Sequence, residues 1–473
     1  MGQEAIAPSH LEETITYERS GEGVVSWPNR IGTESETGYE KIPFPNIVAV
    51  VPALSAPRGH SILYVEDNPA SKDDKSLAPV VFRSLAGSRP PARLVDDLPP
   101  VDVSFWSAWR ATRTSETNLH IVVSTGSGTG QARDVWNRLL KPLLDFLQME
   151  EKTDYVVHFT KSDSTVTELT NEILLPRANL GIAQAVVLLA GDGGMVDVIN
   201  TLLSAERSPS YQKPNVIVMP LGTGNALAHS SGVTADNTMG LRSLILGTAK
   251  ELPVFTASFS PGARYLVDES RQERPLHEHN GTPTAYGAVV CSWGLHAALV
   301  SDSDTAEYRK FGVERFKMAA KEALFPSDGS PCHEYKGRVL VARTQSELQT
   351  GKWELIERDS HGYILATFCR YLEKGFTISP QSQPLDSQLR MVHFGHVSGQ
   401  DAVDIMGKAY KGGKHVEDAR VGYEAIEGLR IEFEEDDGRW RRVCVDGKTV
   451  RVEQGGWVEI RSGGGSVLDV ITT

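Results

Sequence analysis

The chain has 473 residues, 40% of them hydrophobic and 23% charged, with a net charge of -13 at pH 7. That length allows two or three domains, each with its own core. The acidic balance excludes nucleic acid as the main partner, since phosphate backbones are met by an excess of Lys and Arg. It also excludes membrane attachment by general basicity, leaving only a local patch for that purpose.

The four cysteines, Cys291, Cys332, Cys369 and Cys444, are scattered without paired metal-ligand spacing. They point to a reducing compartment and not to a disulfide framework. The N-terminus lacks the basic-then-apolar order of a secretory signal, and Ile6 stands where a myristoylation signal wants Ser or Thr. No apolar run approaches the roughly 18 residues that span a bilayer. The expectation is a cytoplasmic protein that meets intracellular or plasma membranes peripherally.

Residues 1–40 are polar and read as a flexible tail. Phe44 to Val51, Ser61 to Glu66 and Val80 to Ser84 read as short strands, and Ser88 to Pro100 as a loop or linker. From Leu119 a strand-loop-helix alternation sets in. Leu119 to Val123 and Tyr155 to Phe159 are strands; Ala132, Val135, Trp136, Leu139 and Leu140 recur at helical spacing, with Pro142 expected to kink or restart that helix. A polar helix is expected around Val166 to Ile173. Ala185 to Ala190 is apolar throughout, as in a strand buried on both faces. Met195, Val198, Ile199 and Leu202 then mark one helix face, Val216 to Met219 another buried strand, and a helix starts near Asn225. Such alternation indicates a parallel sheet covered on both sides.

Beyond Pro253 the pattern becomes antiparallel β. The expected strands are Tyr286 to Cys291, Arg338 to Ala342, Tyr363 to Phe368, Leu389 to Phe394, Leu429 to Phe433, Arg442 to Val445, Trp457 to Ile460 and Val467 to Ile471. Helices interrupt near Val313 to Ala323 and Ala402 to Tyr410, and Asp268 to Asn280 reads as a surface loop.

Three glycine-rich loops follow three of the parallel strands, and ligands of open α/β sheets bind at the carboxyl ends of strands. The first, Ser124-Thr125-Gly126-Ser127-Gly128-Thr129-Gly130, would let backbone N–H groups approach phosphate oxygens. It is not a Walker loop, and alone it reads equally as a flexible turn. The second, Gly191-Asp192-Gly193-Gly194, puts a carboxylate among glycines at a strand end. Such a group either binds a metal ion or substrate hydroxyl or caps the helix. The third is Pro220-Leu221-Gly222-Thr223-Gly224-Asn225-Ala226-Leu227-Ala228. Here Asn225 either caps the helix or fixes the neighbouring Asp loop through its amide.

Taken together, these loops resemble those of the diacylglycerol kinase catalytic family, which shares its fold and a Gly-Asp-Gly loop with NAD kinases. Gly191 to Asn200 is similar to the family's G-D-G-x-x-x-E-V-x-N, and Pro220 to Ala228 to its P-x-G-[ST]-G-N-A-L-A. The Ala-Leu-Ala ending is that of the sphingosine (long-chain base) kinase branch. Ser292-Trp293-Gly294-Leu295 and Tyr308 to Phe316 resemble that branch's S-W-G-F and Y-R-R-x-G-x-x-R-F. Met406 to His415 resembles its helix ending in G-x-H, Val445-Asp446-Gly447 its V-D-G-E, and Ile42 to Val50 an N-terminal strand.

The resemblance covers residues 41–473. It implies an NAD kinase/diacylglycerol kinase-like α/β nucleotide-binding domain followed by a larger antiparallel β-rich domain. The divisions it suggests are a tail (1–40), a strand region with linker (41–115), the catalytic domain (116–253) and a lipid-binding domain (254–473).

What the resemblance implies for function is transfer of the ATP γ-phosphate to the primary hydroxyl of a sphingoid base. Diacylglycerol, ceramide or another lipid alcohol is the alternative acceptor, and a catalytically dead nucleotide- or lipid-binding regulator the alternative function. NAD kinase is disfavoured by the Ser292-Trp293-Gly294 segment and the Ala-Leu-Ala ending. Asp192 matches the catalytic aspartate. Ser124, Thr125, Gly126, Thr160, Gly191, Gly193, Gly222, Thr223, Gly224, Asn225, Asp446 and Gly447 match the ATP side, with Arg309 and Arg315 on the transferring phosphates. Mg²⁺ shares the charge, without assigned ligands. The lipid is expected from a membrane, and a homodimer is compatible with the sequence.

Three departures stand out. Ser124-Thr125 replaces the family's Asn-Pro. Lys448 replaces the glutamate of V-D-G-E, so Asp192 is left as the base. The acidic stretch before Tyr308 is two residues longer than the family's; Asp302 or Asp304 would hold a substrate ammonium, and if neither does, a neutral lipid alcohol is the better substrate.

Overall fold

The computed structural model describes residues 15–19, 23–30, 37–52, 59–87, 90–101, 118–126, 128, 130–312 and 314–473. Four parallel strands run from the middle to one edge of a six-stranded sheet: β1 (Leu119–Val123), β2 (Val156–Phe159), β3 (Ala185–Ala190) and β4 (Asn215–Pro220), in the order β4-β3-β1-β2 with β2 at the edge. Along β3, successive side chains enter different cores. Ala185, Val187 and Leu189 join the cluster around the helical run 132–146. Val186, Leu188 and Ala190 join the cluster shared with the β-rich unit. A strand's period of two makes this partition, and it explains why the run carries no polar residue.

Both long helices preceding β2 and β3 solve a proline problem alike. Each passes through a wide π-turn, Trp136–Leu140 or Thr170–Leu174, just before the segment that carries Pro142 or Pro176 near its start. The wider turn accommodates a ring that would strike the carbonyl four residues back. Pro142 therefore reshapes its helix without ending it.

The sheet is completed from a distance. The final strand, Asp469–Thr472, lies parallel to β4, and Thr248–Glu251 pairs with it antiparallel. The run from Val467, expected in the β-rich domain, thus belongs to the sheet of the α/β unit. Pattern alone could not reveal this, because a buried strand reads the same in either sheet.

The β-rich unit is a sandwich of a seven-stranded and an eight-stranded antiparallel sheet. Phe255, Phe259 and Val458 from one sheet meet Trp293, Ile364 and Val443 from the other. The expected strand Tyr286 to Cys291 is two, Thr282–Gly287 and Val290–Gly294, which lie in different sheets. The expected loop 268–280 carries exposed strands Gln272–Pro275 and His277–His279. The outer face of the eight-stranded sheet packs on the α/β unit, so Val290, Leu365 and Phe394 share a core with Leu188 and Ile199.

The first forty residues are not all tail. Thr16–Glu18, Val24–Arg30 and Thr37–Pro43 form an antiparallel sheet, while residues 1–14 lie outside the described chain. Its Val25 and Ile42 pack on Ile47, Val50 and Ile62 of a second three-stranded sheet and on Leu94 of a short helix, Ala92–Asp97. That helix occupies part of the expected linker 88–100. The other face of the second sheet, Ala49, Val51, Leu63 and Val65, joins the α/β core. Polar composition concealed these strands because each contributes only a few apolar side chains.

Candidate active site

The parallel register brings Val123 opposite Leu189 and Pro220 opposite Ala190, so the three loops start level. Their first amides extend the sheet: Ser124 N–H donates to the Leu189 carbonyl (3.0 Å), and Leu221 N–H to that of Ala190 (3.1 Å). Beyond this point the loops touch through glycine. A Cβ on Gly191 would lie 2.6 Å from the Gly222 Cα, and Gly128, at φ +56°, rests on the Leu221 carbonyl. No side chain fits between them. By contrast, a Cβ at Gly126 or Gly193 would meet nothing within 4 Å. The loops are packed against each other on one side and open on the other, as a cradle for an anion requires.

Thr125 and Thr160 are brought together. Thr125 N–H donates to the Thr160 hydroxyl (3.0 Å), and the Thr125 hydroxyl to the Thr160 carbonyl (2.9 Å). These bonds stiffen the first loop where the family's proline would have done so. Ser127 and Thr129 lie outside the described residues.

Asp192 opens helix α1 (Asp192–Ser204), and the next helix, α2 (Ala226–Ser230), follows the third loop. The two carboxylate oxygens of Asp192 accept the N–H groups of Ala226 (2.7 Å) and Leu227 (3.1 Å) at the start of α2. Asp192 is therefore a cap, but of the helix across the cleft. Asn225, at φ +54°, caps nothing with its side chain. Its Oδ1 accepts the Gly222 N–H (2.7 Å) and its Nδ2 donates to the Gly222 carbonyl (2.9 Å). So Asn225 pins its own loop, while Asp192 ties that loop's helix to the second loop. Burial raises the Asp192 pKa above the usual carboxylate value, and the two N–H donors offset only part of that rise. A carboxylate has about four acceptor positions, so two amide bonds leave it able to take a proton. Gly224 lies beneath the Leu372 carbonyl of the β-rich unit, and Thr223 beside it is half-buried.

Asp446 is placed differently from its sequence expectation. It is 6% exposed, at φ +47°. Its carboxylate accepts the N–H groups of Ala288 (2.6 Å), Val289 (3.0 Å) and Val290 (2.6 Å). Those residues form the corner where the chain changes sheets. Asp446 braces that corner, and Gly447 supplies the exposed, positive-φ turn beside it. Burial drives the Asp446 pKa up to about 7, with the negative charge of Asp192 adding to the rise.

Lys448 makes an ion pair with Asp197 of α1 at 2.5 Å. Asp197 stands at the glutamate position of the family's motif, so two departures meet in one contact. One turn on, Asn200 clasps the Tyr286 backbone, donating to its carbonyl (2.8 Å) and accepting its N–H (2.9 Å). Asn200 was visible as the last residue of the motif, but its work as a tie between the two units was not. Asp197, Asn200, Tyr265 and Lys448 line a polar cleft between the units, with about 700 Å³ of unfilled space continuous with solvent.

The expected substrate acids are already paired. Asp302, on helix α3 (Leu295–Asp302), binds Arg442 (2.8 Å) and Arg439 (3.1 Å). Asp304 receives Arg309 (2.9 Å) and Arg315 (3.5 Å). Arg309 is exposed and Arg315 half-buried, its guanidinium also over the Phe316 ring. An apolar pocket lies beside α3, lined by Leu295, Ala298, Leu324, Phe394 and Ala402, with Asp302 and Arg439 among its polar groups; its unfilled space, including space open to solvent, is about 470 Å³. Arg439 and Arg442 escaped sequence reasoning because they lie far along the chain from the acid they neutralise.

Residues 118–257 match the family described as diacylglycerol kinase catalytic domain. Sphingosine kinase 1 of Arabidopsis thaliana is 24% identical over 230 residues, 47% of this chain and 39% of that protein. The match to that relative therefore spans well under two thirds of its length. Sphingosine kinase 1 of Homo sapiens is 22% identical over 330 residues, 67% of this chain and 76% of that protein. Among solved structures, a diacylglycerol kinase from Bacillus anthracis is 12% identical, covering 77% of this chain and 98% of that chain with a TM-score of 0.45. Yeast NADH kinase complexed with NADH is 9% identical, covering 77% and 88%, with a TM-score of 0.37.

Proposed function

We propose that the chain, whose residues 118–257 match the diacylglycerol kinase catalytic domain and which is similar to sphingosine kinases, is a member of that family's sphingosine kinase branch and phosphorylates the primary hydroxyl of a long-chain lipid with ATP. The observation that carries this reading is Asp192, half-buried where three glycine loops meet and with acceptor capacity to spare.

ATP would supply the phosphoryl group, with Mg²⁺ as its counter-ion. Among the described residues no group of three His, Cys, Asp or Glu side chains could hold a metal, so no side chain is assigned to the ion. The N–H groups around Gly126, Gly193 and Gly222 orient the phosphates. Asp192 accepts the proton that the lipid hydroxyl releases; its raised pKa makes it a stronger base than a solvated carboxylate. Arg309 and Arg315 leave Asp304 to offset charge on the transferring phosphoryl group. The lipid tail occupies the apolar cavity beside α3.

The branch favours a sphingoid base. A second reading, a neutral lipid alcohol, is favoured by the arginines on Asp302 and Asp304, since an incoming ammonium must displace a guanidinium. Labelled ATP with a panel of sphinganine, ceramide and diacylglycerol, run beside Asp192→Asn, tests both. Transfer that the variant abolishes supports a kinase, and the preferred lipid decides between acceptors. Nucleotide binding without turnover by the wild-type protein would identify a regulator instead, and labelled NADP an NAD kinase.

A further inference from the structure

None of the three glycine loops carries a lysine, arginine or histidine, and the one charged side chain they contain is the carboxylate of Asp192. Backbone N–H groups offer a polyphosphate only partial charges, so a full cation must come from elsewhere. Arg309 and Arg315 share Asp304, and Lys161 stands exposed beside Thr160 at the first loop. At the second loop the cation comes from the β-rich unit. It is Lys448, among the described residues the one lysine or arginine that lines the polar cleft.

The geometry of α1 puts Lys448 within reach of the cradle. Gly193 and Asp197 are four residues apart, so they share one helix face and lie about 6 Å apart along the axis. At Gly193 that face is open, since a Cβ there would meet nothing within 4 Å. At Asp197 it holds the Lys448 ammonium, 2.5 Å away. The turn that leads to Lys448 follows the same helix. Asp446, two residues earlier, feels the charge of Asp192 at the start of α1, and Tyr265 feels those of both Asp446 and Asp197. One helical turn therefore separates the ammonium from the N–H of Gly193. Lysine carries its charge on a flexible four-carbon stem; here the side chain is 39% exposed, beside a cleft open to solvent. A part-exposed ion pair is weakly held, so a phosphate group, with more charge than a carboxylate, can draw the ammonium away from Asp197.

We propose that Lys448 is a ligand of the nucleotide's terminal phosphates, exchanging Asp197 for them as the nucleotide binds. Asp197 keeps the ammonium beside the cradle and competes with the phosphates for it. The lysine that replaces the family's glutamate thus turns a negative charge near the transferring phosphoryl group into a positive one, and supplies part of the neutralisation that phosphoryl transfer requires.

The inference rests on ATP binding at these loops, and its test separates the two. Full-length protein is titrated with ATP and with AMP, which lacks the terminal phosphates, in EDTA and in Mg²⁺, beside Lys448→Met, Lys448→Arg and Asp197→Asn. Lys448→Met should weaken ATP binding about tenfold in EDTA and less in Mg²⁺, with AMP affinity unchanged. Lys448→Arg, which keeps the charge, should recover most of that loss. Asp197→Asn, which removes the competitor, should tighten ATP binding severalfold. A tie that only joins the units predicts another pattern: Lys448→Met and Asp197→Asn then act alike, and equally on ATP and AMP. That pattern, or unchanged ATP affinity in Lys448→Met, overturns the phosphate role and leaves the kinase reading standing. A wild-type protein that binds no ATP overturns both.

Discussion

Lys448 and Asp197 hold the two units together across the mouth of the polar cleft, 2.5 Å apart. Lysine in place of the family's glutamate is therefore matched by a partner and is not a bare loss. Lys448→Glu sets two carboxylates against each other and should lower stability by about 1 kcal/mol, the pair being part-exposed. Adding Asp197→Lys should recover most of that loss in urea unfolding. No recovery would mean that the pair contributes nothing and that Lys448 is placed by other forces.

Gly191 and Gly222 meet backbone to backbone, with a gap that a methyl group would fill to 2.6 Å. Gly191→Ala must separate the second and third loops, at a cost of roughly 1–3 kcal/mol. Nucleotide affinity, measured by calorimetry, should fall at least about tenfold, which is the effect of about 1.4 kcal/mol. Gly126→Ala, where the new methyl has open space, should be much milder. Equal effects at both positions would sink the cradle.

Asp192 combines a cap with a proposed base, and the two can be separated. Asp192→Asn keeps one carbonyl oxygen for the start of α2 and should cost about 1 kcal/mol of stability. Turnover should drop by orders of magnitude while nucleotide affinity stays within a few-fold. A variant with substantial turnover would reduce Asp192 to its capping bonds.

Asp446 gives a pH signature with a defined sign. Burial takes its pKa to about 7, against roughly 4 in an unfolded chain. Between those values the folded protein keeps a proton that the unfolded one has released. The stability tied to this group is full below about pH 4, declines as pH rises to about 7 and is then flat. In denaturant unfolding, the stability of wild type relative to Asp446→Asn should fall by a few kcal/mol as pH rises across that range. A pH-independent difference would contradict the raised value.

Much of the parallel core was legible because its signals are local. The uniform apolarity of 185–190, the helical spacing from Met195 and the glycine loops each declare themselves within a dozen residues. What stayed hidden depends on partners far along the chain. That Asp192 would cap α2, that Asn225 would turn back on Gly222, and that Asp446 would brace residues 288–290 are facts of folding-up, not of motif. The arginines on Asp302 and Asp304 show the same limit, since an acid in a substrate-like position looks free until its neighbours arrive. The N-terminal strands were missed for a different reason: a thin sheet packed on another sheet needs few apolar residues.

The strand Asp469–Thr472 sits inside the sheet of the α/β unit between β4 and Thr248–Glu251. Synthesis runs from the N-terminus, so the bonding edge of β4 waits unpaired until Asp469 and Val470 have been made. A fragment ending after the matched catalytic segment would expose that edge, a template for strand addition between molecules. Deleting Asp469–Thr472 should accordingly disturb the glycine loops from about 250 residues away in sequence.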